Sequence, residues 1–339
     1  MTLLEYPHHH YERKSTSLEG VLDLIRADLE EVDQEFRQNL KSNVPIISAI
    51  GEYLLFSGGK RFRPILLLLS ARLCGYRGDR HIRLASLIEF VHTATLLHDD
   101  VVDKAELRRG SASANSKWGN EASVLVGDFL FTKSFSLAVE NGNPKILQTL
   151  SGATTLMAEG ELEELVRTDD LSLTEEDYLT IITWKTASLI SAATQIGAIL
   201  GNVSEEKEKA LADFGTNLGI AFQLIDDKLD YTSKEEEFGK KIGIDLQDGK
   251  ITLPLIYTLR HCTGEERDLI HEVVESDCIT EDTFFKVIHI IDRYHGIQYT
   301  WDKAKSYSKK AKEHLSLFPG TKEREALFIL ADYLLERRL

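Results

Sequence analysis

The chain has 339 residues, 42% of them hydrophobic, six prolines and a formal net charge of −15 at neutral pH. That length suffices for one large domain or two ordinary ones with a substantial buried core. The charge argues against general affinity for nucleic acid or an anionic membrane surface, so an anionic substrate must be drawn in by local cations.

Residues 1–17 are charged, include His8-His9-His10 and lack an apolar signal core, so they read as a flexible tail. From Leu18 onward, Val21, Leu22, Ile25, Leu29, Val32 and Phe36 recur at steps of three and four, which predicts an amphipathic first helix. A second helix covers Val44 to Phe56 and stops at Gly58-Gly59. Lys60-Arg61-Phe62-Arg63-Pro64 opens a third, whose Ile65 to Leu69 are apolar on nearly every side, as suits a helix at the centre of a bundle. Cys74, Cys262 and Cys278 show no paired spacing and fit free thiols in a reducing, cytoplasmic compartment.

His81 to Val102 forms the next long helix, and it ends in His98-Asp99-Asp100-Val101-Val102-Asp103. A polar loop from Gly110 to Lys117 leads to a helix near Asn120 to Glu140, and another follows Pro144 as far as Thr168. Thr174 and Asp177 predict a capping box opening a helix to Leu200. The uncharged stretch Ala187 to Ser204 carries enough polar residues to read as buried core rather than a membrane span. Glu205 to Tyr231 ends on Phe222-Gln223-Leu224-Ile225-Asp226-Asp227-Lys228-Leu229-Asp230. Lys234 to Asp248 is charged and glycine-bearing, as in a mobile flap, and Thr263 with Glu266 caps a further helix. No alternating strands and no composition break interrupt the pattern, so residues 18–339 read as a single all-α domain with a central cavity.

The two Asp-Asp-x-x-Asp motifs organise this reading. On a helix, Asp99 and Asp103 share one face ~6 Å apart along the axis, as do Asp226 and Asp230. Like charges so placed repel. A solvated helix face accounts for one such motif in an acidic chain, but two copies with apolar lead-ins call for cations held between hard oxygen ligands, as Mg²⁺ is held. Lys60 and Arg63 at a helix start, Arg108-Arg109 after the first motif, and Lys185 and Lys240 suggest two anion pockets, one shared with the metals. There is no Ser/His/Asp set, thiolate niche or dinucleotide fingerprint. Cations gathered on a phosphate-rich substrate would stabilise a departing diphosphate. Loss of diphosphate from an allylic carbon leaves a carbocation, which needs apolar, dry walls.

With Gly58 to Pro64, Leu96 to Asp103 followed by Arg108-Arg109-Gly110, Trp184 to Leu189, Phe222 to Asp230 and Gly239 to Asp245 followed by Gly249-Lys250, the chain resembles the trans-isoprenyl diphosphate synthases, in their long-chain polyprenyl branch. The resemblance implies an all-α homodimer with about three Mg²⁺ ions per site. It assigns Asp99, Asp103 and Asp226 to the ions, with Asp100, Asp227 and Asp230 assisting directly or through water. Arg108, Lys185 and Lys240 would hold an allylic diphosphate, with Thr186 and Gln223 beside the developing cation. Lys60, Arg63, His92 and Arg109 would bind isopentenyl diphosphate, whose double bond attacks the allylic carbon. Ile244 departs from a pattern in which many long-chain members carry a second acidic residue. A terpene cyclase of the same fold is disfavoured by the second intact aspartate motif and the isopentenyl pocket. An inactive partner subunit is disfavoured because both motifs keep their aspartates. Synthases of farnesyl or geranylgeranyl length, and a catalytic subunit needing a small partner, remain as alternatives.

The growing chain should run from Asp99 along its own helix, past Ala94 and Thr95, and the resemblance implies a floor on the helices carrying Ala138 and Leu150. In the resembled family, aromatic side chains at these positions block the tunnel and give short products. Ala94 and Thr95 are small, so the resemblance implies an octaprenyl-like product within a C30 to C50 range, one that serves as a quinone side chain and is released towards a membrane by a protein without a spanning segment. Alternatively, Ala94 serves only close helix packing. Ala94→Tyr distinguishes the two: reversed-phase chromatography of radiolabelled products should show collapse to farnesyl and geranylgeranyl lengths. Unchanged long products from a folded, active variant would place the tunnel elsewhere.

Overall fold

A computed structural model describes residues 18–56, 58–232, 243–274 and 281–336. These residues are almost entirely helical. Helix α1 (Leu18–Asn39) buries Val21, Ile25, Val32 and Phe36, the stripe its periodicity predicts. α2 (Pro45–Phe56) precedes the left-handed Gly58, and α3 (Phe62–Leu73) is buried continuously from Pro64 to Ala71. α4 (Arg80–Val102) lies against α1, α3 and α6 (Asn120–Asn141). α7 (Pro144–Val166) packs on α9 (Ser188–Leu200), which in turn meets α3 and α10 (Glu205–Thr232). The helix Gly296–His314 covers α10, and Lys322–Glu336 closes the bundle over α1 and α3.

The caps follow the sequence signals. Asn143 accepts a hydrogen bond from the Lys145 N–H at 3.0 Å, one residue before Pro144 begins α7. Thr174 and Asp177 form a reciprocal box, each backbone N–H donating to the other's side chain at 3.2 Å. Thr263 and Glu266 do the same at 3.0 and 3.3 Å.

Two expectations are corrected. The Gly110–Lys117 loop contributes to a hairpin, Leu107–Arg108 paired with Ser111–Ala112, followed by the short helix α5 (Ala114–Trp118). Its turn is set by Arg109 and Gly110, both at positive φ, and strands of two residues are too short to carry a visible alternation. The helix from Thr174 to Leu200 is not uniform: α8 (Glu175–Ile182) passes through a π-helical turn, Thr183–Ala187, before α9. The proposed flap falls largely outside the described residues, and its end forms the single-turn helix α11 (Ile244–Gln247).

α6 is the one described helix long and apolar enough to cross a membrane by length and composition. It packs along α4 and also touches α2, α5 and α7, while leaving Leu125 and Val139 exposed.

The close approach of α3 to α9 depends on Gly197. A Cβ there would stand 2.7 Å from the Ala71 nitrogen and 2.9 Å from the Leu67 oxygen, backbone atoms that cannot swing away. Gly197→Val should therefore destabilise the protein by about 1–3 kcal/mol through overpacking. Urea unfolding followed by circular dichroism measures this, and an unchanged midpoint would mean that the α3–α9 contact has slack.

Candidate active site

α4 and α10 each present a half-exposed stripe to the site: His92, Thr95, Asp99 and Asp103 on one, Gln223, Asp226 and Asp230 on the other. Lys250 bonds Asp103 of the first motif at 3.2 Å and lines one cavity with Gln223 and Asp227 of the second, and Arg63 lies within the field of both Asp99 and Asp226. Burial, together with the nearby Glu161, pushes the Asp99 carboxyl up to about 7 against the pull of Lys185 and Arg108. Asp245 is pushed well above the carboxylate range by burial and by Asp230 and Asp227, and its N–H donates to Asp230 Oδ2 at 3.2 Å.

Two lysines balance this charge. Lys250 Nζ donates to Asp103 Oδ1 at 3.2 Å, and Lys185 Nζ lies 2.9 Å from Glu161 Oε2 and also bonds Glu164. Burial alone would lower both ammonium groups, but the surrounding carboxylates outweigh it and hold them above their usual range. Among the described residues no group of three carboxylates, histidines or cysteines is gathered tightly enough to hold an ion alone. The candidate ligands that line the site are nonetheless carboxylate oxygens, and burial holds two of them, Asp99 and Asp245, above the usual carboxylate range. That is the environment a hard divalent cation with substrate oxygens in its shell would relieve.

The middle aspartates are more deeply buried than the outer ones and are engaged by neighbouring side chains. Asp100 is fully buried and accepts from Arg108 Nε at 2.6 Å, leaving its second oxygen without a partner. Asp227 is buried and accepts from Gln223 Nε2 at 2.8 Å and from the Tyr178 hydroxyl. Burial lifts Asp227 to about 7, with those two hydrogen bonds opposing. Gln223 Oε1 accepts from Thr186 Oγ1 at 2.8 Å. Thr186 and Lys185 sit on the π-helical turn, which Gly160 of α7 approaches so closely that a Cβ would meet the Lys185 nitrogen at 2.5 Å. A π-turn adds a residue to the helix and re-aims those around it.

A second, cationic cluster adjoins the first. Arg63 Nη1 donates to His92 Nε2 at 3.2 Å, which leaves the imidazole proton on Nδ1. Burial and the arginines around it hold His92 well below its usual range, so the ring is neutral. Arg109 donates to the Gly58 carbonyl. Lys60 stands apart: it is exposed and donates to the Tyr333 hydroxyl at 2.9 Å. Ala94, Ala138 and Leu150 are buried within one apolar cluster, whereas Thr95 is half-buried and donates to the His92 carbonyl at 2.9 Å. His98 is held by α6, bonding the Val124 carbonyl at 3.2 Å. Lys240 lies outside the described residues.

Sequence reasoning did not single out Arg61, Glu89, Glu161, Glu164, Tyr178 or Lys250. Lys250 closes the Gly249-Lys250 pair and was within reach; the glutamates are lost among 55 acidic residues. Arg61, in the left-handed conformation, donates to Asp33 at 3.1 Å, to Glu89 at 3.2 Å and to the Leu55 carbonyl at 2.9 Å. It thereby ties α1, α2 and α4 to the start of α3.

A family model described as polyprenyl synthetase matches residues 44–291. The chain belongs to the polyprenyl synthetase family. It is 42% identical to octaprenyl diphosphate synthase of Escherichia coli, over 95% of this chain and 99% of that one. To the geranyl-diphosphate-specific nonaprenyl diphosphate synthase of Rhodobacter capsulatus it is 39% identical, over 94% and 98% of the two chains. Among solved structures, a polyprenyl synthase from Caulobacter crescentus, complexed with calcium and isoprenyl diphosphate, superposes with a TM-score of 0.92 at 42% identity, covering 96% of this chain and 99% of that one. This polyprenyl synthetase thus has the all-α isoprenoid synthase fold, and the family match extends beyond the motifs on both sides.

Arg61→Ala should strip Glu89 of its partner and leave a buried charge, at a cost of about 3 kcal/mol. Adding Glu89→Gln should recover much of that loss. Chemical denaturation of both variants measures it; equal stability of the single and double variants would show that the pair is not coupled.

Proposed function

We propose that the enzyme is a long-chain trans-prenyltransferase. It condenses an allylic diphosphate, with farnesyl diphosphate as the primer, with successive isopentenyl diphosphates to an octaprenyl-like diphosphate. The observation that carries this reading is the approach of the two aspartate motifs, bridged by Lys250, beside a half-buried Arg63–His92 pair. Mg²⁺ bound there would neutralise the departing diphosphate, with Asp99, Asp103, Asp226 and Asp230 as the residues facing it.

Lys185 and Lys250, held protonated, supply fixed positive charge to the allylic diphosphate, and Arg108 is oriented for the same anion by Asp100. The bond from the allylic carbon to oxygen breaks with its electron pair passing to the diphosphate. Thr186 and Gln223 present oxygens to the cation so formed. Arg63 and Arg109, with neutral His92 and Lys60 at the rim, bind isopentenyl diphosphate, whose double bond forms the new carbon–carbon bond. The proton then lost passes to the released diphosphate, so no protein base is required. Small Ala94 and Thr95 leave the elongating chain free to pass α4. Residues 18–339 act as one domain, and the exposed Leu125 and Val139 of α6 with Leu156 of α7 suit the face of a homodimer. The enzyme is assigned to the cytoplasm, with its product destined for a quinone side chain.

Purified alone with farnesyl diphosphate, isopentenyl diphosphate and Mg²⁺, the enzyme should yield octaprenyl-length product, and a chelator should abolish it. Asp103→Ala should raise the barrier by ~3 kcal/mol, two or more orders of magnitude in turnover, with the fold intact. Near wild-type turnover of that variant at saturating Mg²⁺ would sink the assignment.

A further inference from the structure

Tyr178 has no part in the reaction as described, yet it is only 4% exposed and its hydroxyl donates to Asp227, itself 2% exposed. From there a chain of hydrogen bonds reaches the reacting carbon's surroundings. Asp227 Oδ1 accepts from Gln223 Nε2, and Gln223 Oε1 accepts from Thr186 Oγ1, both at 2.8 Å. The links join α8 to α10 and α10 to the π-turn. Asp227, held on its other oxygen by the Tyr178 hydroxyl, keeps Oδ1 turned to the amide nitrogen of Gln223, which leaves the amide oxygen towards Thr186. That oxygen in turn takes the Thr186 hydroxyl proton. What remains for the pocket are oxygen lone pairs on both residues, the correct polarity for a positive carbon. Were Asp227 to turn away, the Gln223 amide could flip and the Thr186 proton could point into the pocket, reversing that polarity.

We propose that Tyr178 is a positioning residue: by holding Asp227 it fixes the Gln223 amide and the Thr186 hydroxyl so that both face the ionising allylic carbon with oxygen. This rests on the prenyltransferase reading given above. Tyr178→Phe keeps the ring and removes the one hydrogen bond. Its kcat should fall about ten- to hundredfold, the range found for groups that orient a reacting residue, while KM for both diphosphates changes less than about threefold. In a Thr186→Val background the same substitution should cost less than about threefold, because coupled residues are not additive. Rates are taken per folded enzyme, from size-exclusion elution and circular dichroism, so lost fold is not counted as lost catalysis. A Tyr178→Phe turnover within threefold of wild type would overturn the role, and so would an equal loss in both backgrounds. An inactive wild type would overturn the prenyltransferase reading itself and this role with it; an active wild type indifferent to Tyr178→Phe overturns only the role.

Discussion

Crowded negative charge at the junction of α4, α7 and α10 is the constraint from which the rest of the structure follows. Asp99, Asp103, Glu161, Glu164, Asp226, Asp230 and Asp245 converge there from four segments of chain, and burial raises the proton affinity of Asp99 and Asp245 rather than letting water disperse the charge. Such a cluster stays together only if the helices bearing it are fixed by other forces. The apolar helices α3 and α9 supply that, buried along nearly their whole length. Lys185 and Lys250 then hold opposite sides of the cluster by ion pairs.

The cationic cluster beside it is the mirror problem. Arg61, Arg63 and Arg109 lie close enough to lower the proton affinity of His92, and Glu89 is the buried carboxylate that offsets them. Opposite charges thus alternate across the site: carboxylates, then Arg63, then Glu89 with Arg61. A chain with a net charge of −15 can in this way present a local surface for two anions. Position, rather than total charge, decides what binds.

Much of this was legible in the sequence. The amphipathic stripe of α1, the capping box at Thr174, the apolar α3 and the shared face of the outer aspartates in each motif depend on local spacing, and the chain carries that spacing openly. What escaped depends on contacts distant in sequence. Arg61 sits between two residues of an obvious basic run, yet its partners come from α1, α2 and α4. The π-turn at Thr183–Ala187 leaves no periodic signature, since one extra residue in a long apolar helix shifts the phase without breaking it. The hairpin around Arg109-Gly110 is too short for alternation to register, and only the left-handed pair at its turn betrays it.

The middle aspartate of each motif marks the limit of reading by resemblance. In Asp-Asp-x-x-Asp the first and last residues share a helical face, but the second lies about 100° around the axis and cannot join them without distorting the helix. It must therefore act on whatever stands beside the helix. Asp100 finds Arg108, and Asp227 finds Gln223 and Tyr178. In both cases the partner is a residue that the proposed chemistry places against the substrate, or one joined to it by a hydrogen bond. One five-residue spacing so performs two tasks: its outer carboxylates face the pocket, and its inner one fixes the side chains that complete it. Each buried middle carboxyl is thus accounted for by the hydrogen bonds it accepts, from Arg108 at Asp100 and from Gln223 and Tyr178 at Asp227, because a buried oxygen left without such partners would be costly.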